Sequence, residues 1–247
     1  MTCLKTTYRK VDQPMVTPEP TNATLTDQPA EVAPAAAPKP KLRGWIHAVM
    51  APLVVAAVIV LISISPTTGA AVSSVIFGAS AMSLFGVSAF YHLGNWSPRT
   101  TAVLRRIDHT NIFLIIAGSY TPLAVLLLPE STARVLLIVV WSGALLGLLA
   151  RIFWLNAPRW IYTSIYVALG WVAIGFLPTF YRTGGAGVMW LVIAGGLSYT
   201  LGAVVYALKW PNPFPKWFGF HEVFHLFTVG GFVSHLIGVY FAVLAAS

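Results

Sequence analysis

Two histidines four residues apart flank a glutamate in the stretch His221-Glu222-Val223-Phe224-His225. On a helix that separation is about 400°, so both rings project from one face and can share an ion. The same five letters match the zinc-protease signature H-E-x-x-H, in which the glutamate is the general base and a third ligand comes from elsewhere. His92 is the candidate third imidazole, with Ser88 four residues before it, and Asp108 is an isolated carboxylate between the two blocks. Three neutral histidines leave one position of a tetrahedral zinc ion open for water, and an ionised aspartate alongside offsets the ion's charge and holds that water. The chemistry expected of such a set is metal-assisted hydrolysis, with Asp108 accepting a proton or aiming the hydroxide at a carbonyl.

Long apolar segments must position these groups. Of 247 residues, 57% are hydrophobic and 9% charged, and the mean hydropathy is strongly positive, which is the composition of a membrane protein. Seven stretches of about 20 apolar residues are each long enough to cross a ~30 Å hydrocarbon layer: 45–65, 70–93, 108–128, 134–154, 160–180, 188–208 and 221–245. Short turns such as Ser65-Pro66-Thr67, Pro129-Glu130-Ser131, Asn156-Ala157-Pro158 and Thr183-Gly184-Gly185 join them. The fold class expected is an all-α integral membrane protein, a seven-transmembrane helix bundle over residues 43–247. Residues 1–42, with seven prolines among Thr, Ala and Gln, are expected to form a disordered cytoplasmic tail. The single cysteine, Cys3, lies in that tail, which excludes an intramolecular disulfide and speaks against a thiolate ligand in the core.

With the tail inside, 13 of the 15 Lys and Arg fall on the cytoplasmic side, leaving Arg134 and Arg182 outside. The positive-inside rule then predicts a cytoplasmic amino terminus and an external carboxyl terminus in the plasma membrane. The same asymmetry accounts for the net charge of +8 with no nucleic-acid partner. Span parity brings His92 at the end of the second stretch, Asp108 at the start of the third, and His221 and His225 at the start of the seventh to one membrane depth. An ionisable group in a spanning helix costs about 2.5–3.5 kcal/mol on insertion scales, so Asp108 requires an explanation. Either it completes the metal site, or it caps its helix start or pairs with Arg105 or Arg106.

The remaining features have plainer readings. His47 opens the first stretch at the same depth, as a neighbour of the site or as a wet interfacial residue, and His109, about 100° around from Asp108, is placed to bond nearby backbone. His235 lies ten residues beyond His225, about 15 Å deeper and roughly 80° off its face, so it serves a buried hydrogen bond or a polar element of a substrate cavity. Pro122 is expected to kink its helix, with Ser119 and Thr121 satisfying the freed carbonyls, and Gly143 and Gly147 permit close helix contact within the bundle. Trp141, Trp154, Trp160, Trp190, Trp210 and Trp217 read as interfacial anchors near span ends.

Three blocks in order resemble the haemolysin III proteins, bacterial relatives of the progestin and adipoQ (adiponectin) receptors. They are Ser88-Ala89-Phe90-Tyr91-His92, then Arg106-Ile107-Asp108-His109 with Ala117-Gly118-Ser119-Tyr120-Thr121-Pro122, then Phe220-His221-Glu222-Val223-Phe224-His225 with Val233-Ser234-His235. The resemblance covers nearly all of residues 43–245 and implies that His92, His221 and His225 are zinc ligands, that Asp108 holds the zinc-bound water, and that Ser88 is the serine beside the site. At the start of the first stretch the chain departs from pattern. Relatives often show a glutamate and an asparagine before a T-H pair, whereas this chain reads Lys41-Leu42-Arg43-Gly44-Trp45-Ile46-His47.

The function expected is that of a zinc-dependent membrane hydrolase, since a site in the cytosolic leaflet meets lipid more readily than soluble metabolites. Resemblance to adiponectin receptors and, distantly, to alkaline ceramidases implies a membrane lipid amide or ester as substrate. Two alternatives stay open: a receptor- or sensor-like protein with a structural zinc and no turnover, and an intramembrane zinc protease. The protease would also need an Asn-Pro-Asp-Gly type segment, and the only Asn-Pro is Asn212-Pro213, in a loop. Related receptors, moreover, carry glutamine at the position of Glu222.

Overall fold

The structure is a computed structural model that describes residues 39–153 and 158–246. Helix α1 spans Trp45–Ser63, α2 Thr68–Leu93, α3 Pro98–Leu127, α4 Glu130–Phe153, α5 Arg159–Gly170, α6 Leu177–Leu208 and α7 Phe220–Ala246, with a 3₁₀ segment Trp171–Phe176 between α5 and α6. Among the described residues the only β pairing is one isolated bridge, Phe214 to Phe218. The protein is therefore an all-helical, multi-pass membrane protein. Six helical stretches are long and apolar enough to cross a bilayer. Five match single expected stretches, and the sixth, Trp160–Leu208, runs for 49 residues, more than twice what ~30 Å of hydrocarbon requires. Its backbone breaks at Gly185, whose φ of 80° and ψ of 174° belong to glycine alone.

Local chemistry explains where helices start and change. Thr67 Oγ1 accepts from the Ala70 amide at 3.1 Å to open α2, and Ser97 Oγ accepts from the Thr100 amide at 3.2 Å to open α3, with Pro98 in its first turn. Helix α3 thus begins ten residues before Asp108, and Asp108 caps nothing. The expectation that residue 108 opens the helix is corrected: the apolar run starts there, but the cap and proline nucleate helix through the charged residues ahead of it. Further on, the Tyr120 hydroxyl donates to the Gly170 carbonyl at 2.7 Å and accepts from the Ala173 amide at 2.6 Å. A side chain inserted into the backbone ladder at that point accounts for the switch to 3₁₀ geometry.

Helix α3 is the axis of the packing, touching α2, α4, α5, α6 and α7. Its apolar window is 72% buried, against 17% for α1 and 22% for α4. The outer helices turn Leu53, Ile59, Val135, Ile138 and Leu146 outward, a surface suited to lipid. Gly143 faces Leu169 and Gly147 faces the Phe113 ring, so their spacing serves contacts inside the bundle. Ser119 and Thr121 bond the Ile115 and Ala117 carbonyls, each at 2.8 Å, one turn back along their own rows. The carbonyl that Pro122 frees is that of Gly118, so the expected rescue goes elsewhere, because a hydroxyl reaches its own i−4 carbonyl most easily. Trp141 also departs from expectation: in mid-helix it donates to Thr121 Oγ1 at 3.1 Å, whereas Trp160, Trp190, Trp210 and Trp217 are exposed and Trp154 lies outside the described residues.

Candidate metal centre

The last turn of α2 carries His92, and the first two turns of α7 carry His221 and His225 on one face. One ring nitrogen from each lies within 4.8 Å of the other two. His92 Nε2 and His221 Nε2 are 3.2 Å apart, with His221 half-buried and the other two buried. A tetrahedral zinc with bonds of about 2.0–2.1 Å spaces its ligand nitrogens about 3.3 Å apart, a spread that small ring rotations reach from here. Imidazole lone pairs converging in a buried pocket suit a divalent cation of intermediate softness. The trio can hold a metal ion.

Asp108 comes from the flank of α3. Its Oδ2 lies 3.9 Å from His92 Nε2 and 3.9 Å from His109 Nδ1, and its side chain is 11% exposed. Among the described residues it makes no ion pair with Arg105 or Arg106. Ser88 is buried beside the Asp108 carboxyl, without a hydrogen bond of normal geometry. His109 is committed elsewhere: Nδ1 donates to the Arg105 carbonyl at 2.6 Å and Nε2 lies 3.0 Å from the Tyr206 hydroxyl. His47 is not a wet interfacial residue. It is 2% exposed and stacked on His225 at 3.8 Å and 12°, with Phe85 edge-on at 5.0 Å. A stacked ring presents its face rather than a lone pair, so His47 orients His225 instead of joining it.

The glutamate of His221-Glu222-Val223-Phe224-His225 is fully buried and has a structural task. Its Oε2 accepts from the Gly219 amide at 2.7 Å, the half of a capping box that the third helical residue supplies. Its Oε1 is paired with Arg43 Nε. Arg43 belongs to residues 39–44, the end of the expected tail and the first residues of the membrane domain, which run against the segment ahead of α7. The Lys41 amide donates to the Lys216 carbonyl and the Leu42 amide to the Trp217 carbonyl, each at 3.1 Å, while Lys39 Nζ donates to the His92 carbonyl. Gly44 follows at φ 88°, and a β-carbon there would come within 2.7 Å of His92 Cβ. This strap ties the histidine-bearing ends of α2 and α7 together. Sequence reasoning misses it because no local rule pairs Arg43 with a residue so distant; the hint is that Arg43 and Glu222 are charges adjoining two apolar runs.

A long cavity opens from the histidines into the bundle. His47, Ser88, Asp108, His221 and His225 line one end, and Phe180, Val192 and His235 line its depth, with α3, α5, α6 and α7 forming the walls. His235 is where the spacing put it, away from the histidine cluster, its Nε2 3.3 Å from the Val192 carbonyl.

The comparisons with known proteins agree with this architecture. Residues 35–236 match the family described as haemolysin-III related. The chain is 32% identical over 199 residues to the hemolysin-3 homolog of Bacillus subtilis (strain 168), covering 79% of this chain and 90% of that protein. It is 30% identical over 203 residues to hemolysin-3 of Bacillus cereus, covering 80% and 89%. A more distant relative, the adiponectin receptor protein of Drosophila melanogaster, is 28% identical over 194 residues, 67% of this chain and 42% of that protein. By the length of the match and by these relatives, the chain belongs to the haemolysin-III related family.

Proposed function

We propose that the protein is a zinc-dependent hydrolase of a lipid amide or ester. The carrying observation is that His221, His225 and a partly buried aspartate line one end of a mostly apolar cavity, with His92 beside them, its Nε2 3.2 Å from His221 Nε2. His92, His221 and His225 would hold the zinc, with Asp108 as the acid–base residue and Ser88 beside it. Zinc bound by three neutral imidazoles acidifies a coordinated water to a pKa of about 7. Asp108 would take a proton and pass it to the leaving amine or alcohol, with Ser88 beside its carboxyl. The apolar walls hold the acyl chain and exclude bulk water. Three protein ligands would leave a bound zinc one position for water, which favours chemistry over a structural metal. Glu222 cannot act as a protease base, because both its oxygens are engaged.

The bundle is proposed to cross the plasma membrane seven times, with Trp160–Leu208 crossing twice and turning at Gly185. The distribution of Lys and Arg supports a cytoplasmic amino terminus, an external carboxyl terminus and a site near the cytosolic face. The test is paired. Purified protein is expected to carry about one zinc, and the His221→Ala, His225→Ala double variant to carry none. Asp108→Asn is expected to keep zinc and lose at least about 100-fold in turnover of a lipid amide or ester by mass spectrometry. Full zinc occupancy in the double variant refutes the ligand set; zinc without turnover of any lipid in the wild type makes the metal structural.

A further inference from the structure

His47, Ser88 and His225 keep unpartnered polar atoms at the end of the cavity that holds the histidine cluster, whereas the polar side chains further along it are mostly committed. Ser119, Tyr120, Tyr166, Trp171, Thr200 and Thr228 each donate a hydrogen bond to a carbonyl or hydroxyl. Two polar atoms in the depth of the cavity are not. The Tyr199 hydroxyl and His235 Nδ1 are buried with no hydrogen-bond partner among the described residues, and both side chains line the cavity. Their rings stand 5.5 Å apart at 68°. Each is seated on a glycine of the facing helix: Tyr199 of α6 on Gly231, where a β-carbon would meet its ring at 2.8 Å, and His235 of α7 on Gly195. A pair held from both sides cannot readily swing toward other partners.

The donor and acceptor roles follow from the neighbours. His235 Nε2 faces the Val192 carbonyl, and a carbonyl can only accept, so Nε2 carries the hydrogen and Nδ1 presents a lone pair. Tyr199 offers an O–H that can donate. Two such groups left dry inside an apolar cavity are unfavourable, and buried polar groups are generally met by a partner. A hydroxyl meets both through one atom, its proton going to Nδ1 and its oxygen accepting from Tyr199. Ether, ester and carboxylate oxygens serve only Tyr199.

We infer that Tyr199 and His235 form a subsite for a hydroxyl group carried part-way along the lipid chain, an inference that rests on the lipid reading of the cavity. The subsite lies about 15 Å along α7 from His225, which places the hydroxyl that far from the reacting carbonyl. The substrate class is thereby narrowed to amides or esters of hydroxylated acyl chains.

The experiment is calorimetric titration of the zinc-loaded full chain in nanodiscs with stearate and with hydroxystearates whose hydroxyl is moved step by step along the chain. Affinity is expected to peak at one mid-chain position, about tenfold above stearate, the worth of one to two hydrogen bonds. Tyr199→Phe, which removes one oxygen, is expected to flatten that peak, and His235→Phe, which keeps a ring on Gly195, to do the same. A profile that falls or stays level at every position, as it would if a fixed water served the pair, overturns the subsite while leaving the lipid reading intact. Failure of stearate and all its hydroxylated analogues to bind overturns both.

Discussion

Glu222 sits between two metal-binding candidates and still does no metal chemistry, because its carboxylate is divided between the Gly219 amide and Arg43. Removing one partner of a buried pair strands the other, whereas removing both leaves little penalty. Arg43→Met is therefore expected to destabilise the protein by about 2–3 kcal/mol, below the full cost of a buried pair because Arg43 is 18% exposed. Glu222→Gln keeps an acceptor for Gly219 and is expected to retain lipid hydrolysis, and the Arg43→Met, Glu222→Gln double variant to recover most of the loss. Thermal unfolding in detergent, zinc content and lipid turnover by mass spectrometry together check all three. Loss of all hydrolysis in Glu222→Gln with zinc still bound would return Glu222 to the role of general base. The pair His221 and His225 was legible because helical periodicity alone aligns them. The pairing of Arg43 with Glu222, 179 residues apart, was not, because no local rule links them.

At the scale of elements, the strap of residues 39–44 joins the ends of α2 and α7 that carry the histidine cluster. A side chain at Gly44 meets both a left-handed backbone and His92 itself. Gly44→Ala is expected to weaken zinc binding by about tenfold, in the range found when groups supporting a metal ligand are lost, measured by competition with a chelator. Gly147→Val pushes into the Phe113 ring at the α3–α4 contact and is expected to cost about 1–3 kcal/mol in unfolding, with zinc stoichiometry unchanged. The contrast separates a strap that positions the metal site from packing that only supports the bundle. Helix existence was legible from apolar length, but the true start of α3 was not, because hydropathy marks where lipid begins and Ser97 with Pro98 marks where helix begins.

For the whole molecule, the proposed topology has a direct readout. In a Cys3→Ser background, Ser247→Cys is expected to react with a membrane-impermeant maleimide on intact cells, and Thr6→Cys only after lysis. The reverse pattern would invert the bundle, and labelling of both from one side would leave Trp160–Leu208 a single crossing. Composition by itself determined that the chain lives in a bilayer as helices, since unpaired backbone is intolerable there and apolar length sets each crossing. Parity, counted over seven crossings, also predicted that His92, Asp108, His221 and His225 share one depth, and their side chains do lie together. Which side chains meet at that depth was decided only by tertiary packing. His47 moved from the interface to the face of His225, His109 turned to Tyr206, and a cavity running to Tyr199 and His235 opened between α3 and α5 to α7. Depth is a property of one helix in a slab and can be counted along the chain, whereas azimuth about each axis and the gaps between helices depend on every neighbour at once.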